Sequence, residues 1–245
     1  MMKVKLAALF MCLASPAVAI DCVDQDYKNN SYTKCVVDLN TSNIDLFLYK
    51  PDGKPYGQFS TLDRALIAKG KKLAFAMNAG MYHEKRDPVG HYVENGTPLK
   101  NLILSAGPGN FGLLPNGVFC INDTRATVIE TLKFKAQNPT CKHATQSGPM
   151  LVIDGELHPR FLKNSDSKYI RNGVGTSADG TKATFVISNN TVTFHAFASY
   201  FRDALNIDQA LYFDGNISRL YAPNLNRSDF GFHTLGPIVA VTEDN

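Results

Sequence analysis

Four short polar segments of this sequence carry side chains able to do chemistry, and each contains glycine. They are Ala76-Met-Asn-Ala-Gly-Met-Tyr82, Thr145-Gln-Ser-Gly-Pro-Met150, Ile170-Arg-Asn-Gly-Val-Gly175 and Leu211-Tyr-Phe-Asp-Gly-Asn-Ile-Ser218. Asp214 supplies a carboxylate, the group that activates water, stabilises a cationic centre or binds a metal ion. Arg171 supplies a planar guanidinium, whose forked donors match phosphate and carboxylate oxygens. Asn78, Gln146, Ser147 and Ser218 add hydrogen-bonding groups, and Gly80 and Gly215 allow a backbone to approach closely. Taken singly each segment reads first as local structure: Asp214-Gly215 is also a hairpin turn, and Asn78-Ala79-Gly80 also a strand end.

Other matches carry no chemistry. Gly107-Pro-Gly-Asn-Phe-Gly112 fits the letters of a dinucleotide fingerprint. That fingerprint must open a helix after a strand, whereas Pro108 lies inside this one and Pro115-Asn116-Gly117 follows it. No Gly-Lys-Ser/Thr, nucleophile elbow or zincin motif occurs. The histidines His83, His91, His143, His158, His195 and His233 show no metal-ligand spacing.

The elements that must position these segments are mostly strands. Runs rich in β-branched and aromatic residues predict strands at Ile44–Tyr49, Leu73–Met77, Gly117–Ile121, Ala126–Leu132, Met150–Ile153, Ala183–Ile187, Ala210–Phe213 and Ile238–Val241. Asn95-Gly96, Asn116-Gly117, Asp154-Gly155 and Asp179-Gly180 predict turns between them. One helix is expected from a Ser60 or Thr61 cap through Leu62, Ala65, Leu66 and Lys69 to Gly70. A second places Phe194, Phe197, Ala198, Phe201 and Leu205 on one apolar face. Few helices among many strands, without regular alternation, predict an α+β fold: strand-rich mixed or antiparallel sheets with a few packed helices in one domain.

The first nineteen residues have the three parts of a secretory signal. A basic start (Lys3, Lys5) precedes an apolar run from Leu6 to Leu13, and Ala17-Val18-Ala19 sets cleavage before Ile20. This run is too short to span a bilayer, and no later one is long enough. Removing Cys12 with the signal leaves Cys22, Cys35, Cys120 and Cys141, with no Cys-x-x-Cys pair. Four cysteines allow three connectivities. Proximity in sequence favours Cys22 with Cys35 and Cys120 with Cys141, each adding about 3 kcal/mol by restricting the unfolded chain. Loss of two lysines takes the formal charge from +3 to about +1, which gives no general attraction to nucleic acid or anionic lipid. A secreted or periplasmic protein without a transmembrane segment is expected, with residues 20–245 as its domain.

The order of the polar segments resembles that of the phosphodiester glycosidase family over about Leu73 to Val241. Asn78–Tyr82 is similar to its Asn-Gly-Gly-Tyr/Phe segment, and Gly90–Gly96 to its Gly-x-x-Val-x-x-Gly hairpin. Ser147–Gly155 is similar to its Ser-Gly strand and turn, Arg171–Gly175 to its Arg-x-x-x-Gly, and Asp214–Ser218 to its Asp-Gly-Gly-Gly-Ser. Exported bacterial members of that family resemble it more closely, through Pro-Gly-Asn-Phe-Gly-Leu, Gln-Ser-Gly-Pro-Met-Leu and Tyr-Phe-Asp-Gly-Asn. The chain departs from the pattern at Asn216-Ile217, where two glycines would stand; Ile217 makes the loop bulkier and points to a changed sugar or leaving group.

The resemblance implies hydrolysis of a sugar phosphodiester at the anomeric carbon, on an envelope glycan or exopolysaccharide. A phosphate leaves as an anion, so the general acid of ordinary glycosidases is dispensable, and one carboxylate and one cation form a minimal set. On this reading Asp214 acts on water or the anomeric carbon and Arg171 holds the phosphate. Asn78 and Ser218 bond sugar hydroxyls or phosphate oxygens, Gly80 and Gly215 give close approach, and Gln146 and Ser147 form the floor. Glu94 and Asp179 are reserve carboxylates. No cofactor is required, and a divalent cation at Asp214 stays open. The alternative is an envelope protein that binds glycan phosphate without turnover.

Overall fold

The computed structural model describes residues 20–245, so the expected signal segment 1–19 lies outside the described residues. The strands begin with β1 (Ile20–Tyr27), β2 (Asn30–Asp38), β3 (Asp45–Phe47), β4 (Lys71–Asn78), β5 (Tyr92–Glu94) and β6 (Thr97–Lys100). They continue as β7 (Gly117–Ile121), β8 (Ala126–Glu130), β9 (His143–Ser147), β10 (Met150–Ile153), β11 (Glu156–Leu157) and β12 (Asn172–Thr176). The last are β13 (Lys182–Ser188), β14 (Gln209–Asp214), β15 (Leu220–Ala222), β16 (Arg227–Ser228) and β17 (Ile238–Asp244). Helices α1 (Phe59–Ile67), α2 (Thr131–Gln137) and α3 (Phe194–Ser199) complete the set, α3 running on into a π-type turn over Tyr200–Ala204.

Three sheets hold these strands, in the orders β1-β2-β13-β12-β14-β10-β11, β16-β15-β4-β17-β3 and β6-β5-β9-β7-β8. Every ladder between described strands is antiparallel, which fits the alternation of buried and exposed residues along β1 and β2. The α+β expectation holds. The sheets meet on aromatic rings: Phe185 of β13 lies 4.9 Å from Phe75 of β4 and 5.9 Å from Phe119 of β7, centroid to centroid. All three rings are fully buried, and each contributes about 1.5–3 kcal/mol by leaving water. The expected disulfides are present. Cys22 and Cys35 face each other across the β1–β2 ladder, and Cys120 of β7 joins Cys141 just before β9.

Several local expectations change. The run Ala126–Leu132 stops being strand at Glu130, whose carboxylate accepts from the Leu132 and Lys133 amides and starts α2. A side-chain cap outweighs β-propensity there. Helix α1 begins at Phe59, with Gln58 rather than Ser60 or Thr61 at its cap. Asn116-Gly117 is no turn: Asn116 is buried, Gly117 opens β7, and a side chain at 117 would collide with the Met150 sulfur. Arg171–Gly175 largely forms β12. Its glycines serve close packing, since a Cβ at Gly173 would come 2.5 Å from the Leu211 carbonyl oxygen.

Candidate active site

The ends of β4 and β14 and the start of β12 converge where the first two sheets adjoin. Asn172 pairs with Asp214 across the first sheet, and Asn78 pairs with Ile238 in the second. Beside this junction opens a cavity of about 610 Å³, walled by Met81 and Tyr82, by the Ser105–Phe111 loop, and by Asp214, Asn216 and Ile217. Asp214 is the sole carboxylate among its lining residues.

The segment from Asp214 to Arg219 is a tight loop held by two buried amides. Asn78 donates its Nδ2 to the Ile217 carbonyl at 2.7 Å, and its Oδ1 accepts from the Arg219 amide at 2.9 Å. Asn172 donates to the Asn78 carbonyl at 2.9 Å and to Asn78 Oδ1 at 3.1 Å, while its own Oδ1 accepts from the Asp214 amide at 3.0 Å. Ser218 Oγ lies 3.0 Å from the Ile170 carbonyl oxygen and 3.1 Å from that of Asp214, closing the loop on itself. Both asparagines are fully buried, so their bonds are made without competition from water.

Burial pushes the Asp214 carboxyl above its ordinary range, and the amides of Gly215, Asn216 and Ile217 only partly offset this. Oδ1 accepts from Gly215 at 2.6 Å and from Asn216 at 2.9 Å, which fixes the carboxylate's orientation. Below the loop lies Arg171, 1 % exposed. Its Nε donates to the Val192 carbonyl at 2.9 Å, Nη2 to Ser167 at 3.2 Å and Nη1 to the Tyr212 hydroxyl at 3.2 Å. Its guanidinium stacks 3.7 Å from the centre of the Phe194 ring. Gly215 covers this pair closely: a Cβ there would strike the Tyr212 hydroxyl and sit 3.5 Å from Arg171 Nη1. Asn110, from the cavity's loop wall, also bonds the Tyr212 side chain.

On the other side of the loop stands Arg219. It is 7 % exposed, donates Nη1 to Gln58 at 3.1 Å and makes no ion pair among the described residues. Its guanidinium lies against Gly231, where a Cβ would collide with Nη2. Tyr82, packed on Gly236, is pushed up to about 12 by burial and by the Asp214 charge, with Arg219 acting the other way. Asp214 thus raises the pKa of this hydroxyl, while Arg86 and Arg219 lower it.

The residues singled out from the sequence come together here, but in different layers. Asp214, Gly215 and Ser218 form the loop, and Asn78 anchors it. Arg171 lies beneath it rather than on the cavity wall, with its donors turned to carbonyls and to Tyr212. Ser147 donates to the Phe213 carbonyl at 3.1 Å, tying β9 to the end of β14. Gln146 donates to the Ile103 carbonyl at 2.6 Å and accepts from the His91 and Ile103 amides, both at 3.0 Å, securing the base of the 105–111 loop. Gly80 has φ +108° and faces the Thr145 hydroxyl. Glu94 and Asp179 are elsewhere: Glu94 accepts from Tyr92 at 3.0 Å, and Asp179 from Ser177 at 2.6 Å in an exposed turn. Asn172, Tyr212, Arg219 and Tyr82 went unassigned in the sequence reading, although each lies in or beside a segment it singled out. The Gly107–Gly112 stretch, set aside as a nucleotide motif, is the cavity's loop wall. Among the described residues no three His, Cys, Asp or Glu side chains cluster as a metal site.

The chain as a whole matches a known set of proteins. The sequence profile described as phosphodiester glycosidase matches residues 71–241. This chain belongs to the phosphodiester glycosidase family. It is 34% identical over 227 residues to the Escherichia coli (strain K12) protein YigE, itself uncharacterized, covering 90% of this chain and 87% of YigE. Among solved structures, the glycosidase fold is shared with the zebrafish N-acetylglucosamine-1-phosphodiester alpha-N-acetylglucosaminidase catalytic domain, auto-inhibited by its pro-peptide. The TM-score is 0.60 at 11% identity, over 91% of this chain and 81% of that one. A hypothetical protein from Synechocystis gives 0.62 at 13% identity, over 91% and 62%. A putative exported protein from Burkholderia pseudomallei gives 0.56 at 11%, over 86% and 74%. These three likenesses establish the fold of the family, and the loop from Asp214 to Arg219 lies within the matched profile.

Proposed function

We propose that this protein is an exported hydrolase that cleaves a sugar phosphodiester at the anomeric carbon, with Asp214 as its acting carboxylate. The observation that carries this reading is the lone, half-buried carboxylate in the wall of a sugar-sized cavity, with two arginines beside its loop that make no ion pair among the described residues. The zebrafish relative's name specifies a sugar-1-phosphodiester, and the same type of bond is proposed here. The expected signal segment and the two disulfides support work outside the reducing cytoplasm.

In this mechanism the Asp214 carboxylate takes a proton from water as the water oxygen bonds to the anomeric carbon. The bond from that carbon to the bridging phosphate oxygen breaks, and its electron pair stays on the phosphate. The products are a free sugar and a phosphomonoester. An anionic leaving group needs no protonation, so one carboxylate suffices. Arg219 receives the phosphate. Arg171 acts from below by position: with the Tyr212 hydroxyl it underlies the Gly215 backbone, whose amide bonds the Asp214 carboxylate. Asn78, Asn172 and Ser218 hold the loop, while Gln146 and Ser147 hold the surrounding walls.

The test is to incubate the purified protein with a panel of sugar-1-phosphodiesters and assay free reducing sugar and phosphomonoester. Turnover by the wild type and a loss of about 10³-fold in Asp214→Asn is the expected result. A folded Asp214→Asn protein with undiminished turnover would overturn the assignment. Saturable binding without product would favour the non-catalytic alternative.

A further inference from the structure

Next to the first cavity lies a second concavity of about 650 Å³. It shares Asn216 and Ile217 with the first, so one loop divides two adjoining chambers. Its chemistry differs from that of a sugar site. Ile170, Ile217 and the rings of Tyr169, Phe230 and Phe232 line it, and Phe230 and Phe232 are 74 % and 97 % exposed at its rim. Their centroids stand 6.1 Å apart, edge to face, so the two rings form one projecting apolar ridge.

Its charges are equally one-sided. The chamber's carboxylate, Asp229, is taken up by Arg227, with Nε and Nη2 both at 3.0 Å. Arg219 and Lys168 remain, and neither makes an ion pair among the described residues. Recognition of a neutral oligosaccharide calls for free carboxylates and amides beside the rings. Here the free charges are positive, the one carboxylate is taken up, and Asn189, one of the chamber's two amides, is bonded to Arg227 and Thr33, while Ile170, Ile217 and the three rings supply its apolar part.

A phosphate held near the loop, with an apolar chain running outward over exposed rings, satisfies each of these features. Resting on the hydrolase reading, we infer that the second chamber receives the leaving group, and that this leaving group is a lipid phosphate: the substrate is a sugar joined through phosphate to an apolar chain. Arg219 meets the phosphate at the dividing loop, Lys168 adds positive charge, and the chain lies along Ile217, Phe230 and Phe232. The isoleucine at 217, where the family pattern has glycine, becomes part of this apolar track.

The experiment compares the methyl and octyl diesters of α-N-acetylglucosamine 1-phosphate, kept below micellar concentration. The octyl-to-methyl ratio of kcat/KM is measured in the wild type, in Phe230→Ala/Phe232→Ala and in Leu132→Ala, an exposed residue outside both chambers. Burial of even part of the chain raises the ratio at least about tenfold in the wild type. The ratio falls below about threefold in the double variant and stays at the wild-type value in Leu132→Ala. A wild-type ratio near one, or a ratio unmoved by the double substitution, overturns the inference while leaving the hydrolase reading in place. So does faster turnover of a uridine or oligosaccharide diester than of the octyl one. If neither diester is turned over, calorimetry with octyl phosphate and methyl phosphate decides. Tighter octyl binding that depends on Phe230 and Phe232 upholds the lipid-phosphate chamber and fails the hydrolase reading; equal binding overturns the chamber as well.

Discussion

Asp214 is subject to two opposing influences, burial that favours its protonated form and backbone amides that favour its ionised form. Burial wins, so its proton is held above the ordinary value near 3.8. The sign for stability follows. Below that value the group is neutral in both folded and unfolded chains and costs nothing. As pH rises toward the raised folded value, the unfolded chain ionises first and the fold loses stability. The expected outcome is that Asp214→Asn melts with the wild type near pH 3 but at a higher temperature near pH 7, as measured by thermal denaturation across pH. The acid limb of wild-type kcat/KM also lies above the ordinary aspartate range. Asp214 was legible in the sequence because an Asp-Gly pair after a strand presents a carboxylate at a sheet end. The layer occupied by Arg171 was not legible. Its partners are the Phe194 ring and the Val192 carbonyl, about twenty residues away in another element, and no local pattern in Ile170–Gly175 announces them.

At the level of elements, the loop from Asp214 to Arg219 owes its shape to side chains outside it. Truncating Asn78 leaves the Ile217 carbonyl, the Arg219 amide and an Asn172 donor without their partners in a dry setting. Asn78→Ala is therefore expected to lose about 2–4 kcal/mol in urea denaturation, with a fall in turnover because Asp214 is no longer aimed. A loss below 0.5 kcal/mol would remove the buried amides from this account. Asn78 was readable as a polar residue ending a strand, although as a ligand for substrate rather than as an anchor. Asn172 was passed over because its partners, Asn78 and Asp214, are 94 and 42 residues away. Among the strands, β7 and β10 lie where runs of β-branched and aromatic residues predict them, whereas the long β1 and β2 were not anticipated. Helix α2 was hidden because Thr131 and Leu132 prolong a β-like run, and only the Glu130 cap ends it.

In the whole molecule, three sheets meet on one aromatic junction, while one disulfide staples the first sheet and the other the third. Opening Cys120–Cys141 is expected to cost about 3 kcal/mol, seen as a lower melting temperature of Cys120→Ser/Cys141→Ser than of the wild type without reductant. Fold class and cysteine pairing were legible because composition and spacing are properties of the chain as a whole. Sheet order was not, since it depends on pairings between distant segments. The position of β17 is the clearest case. It lies between β4 and β3 and is the only strand paired with β3 among the described residues. Likewise β2 has its inner neighbour in β13, with Thr33 opposite Ile187. Each of these sheets stays incomplete until a strand from the second half of the sequence joins it, because strands made early wait for partners made late. Completion of these two sheets is thus a late event, whereas the third, whose strands all fall between residues 92 and 147, can form before them.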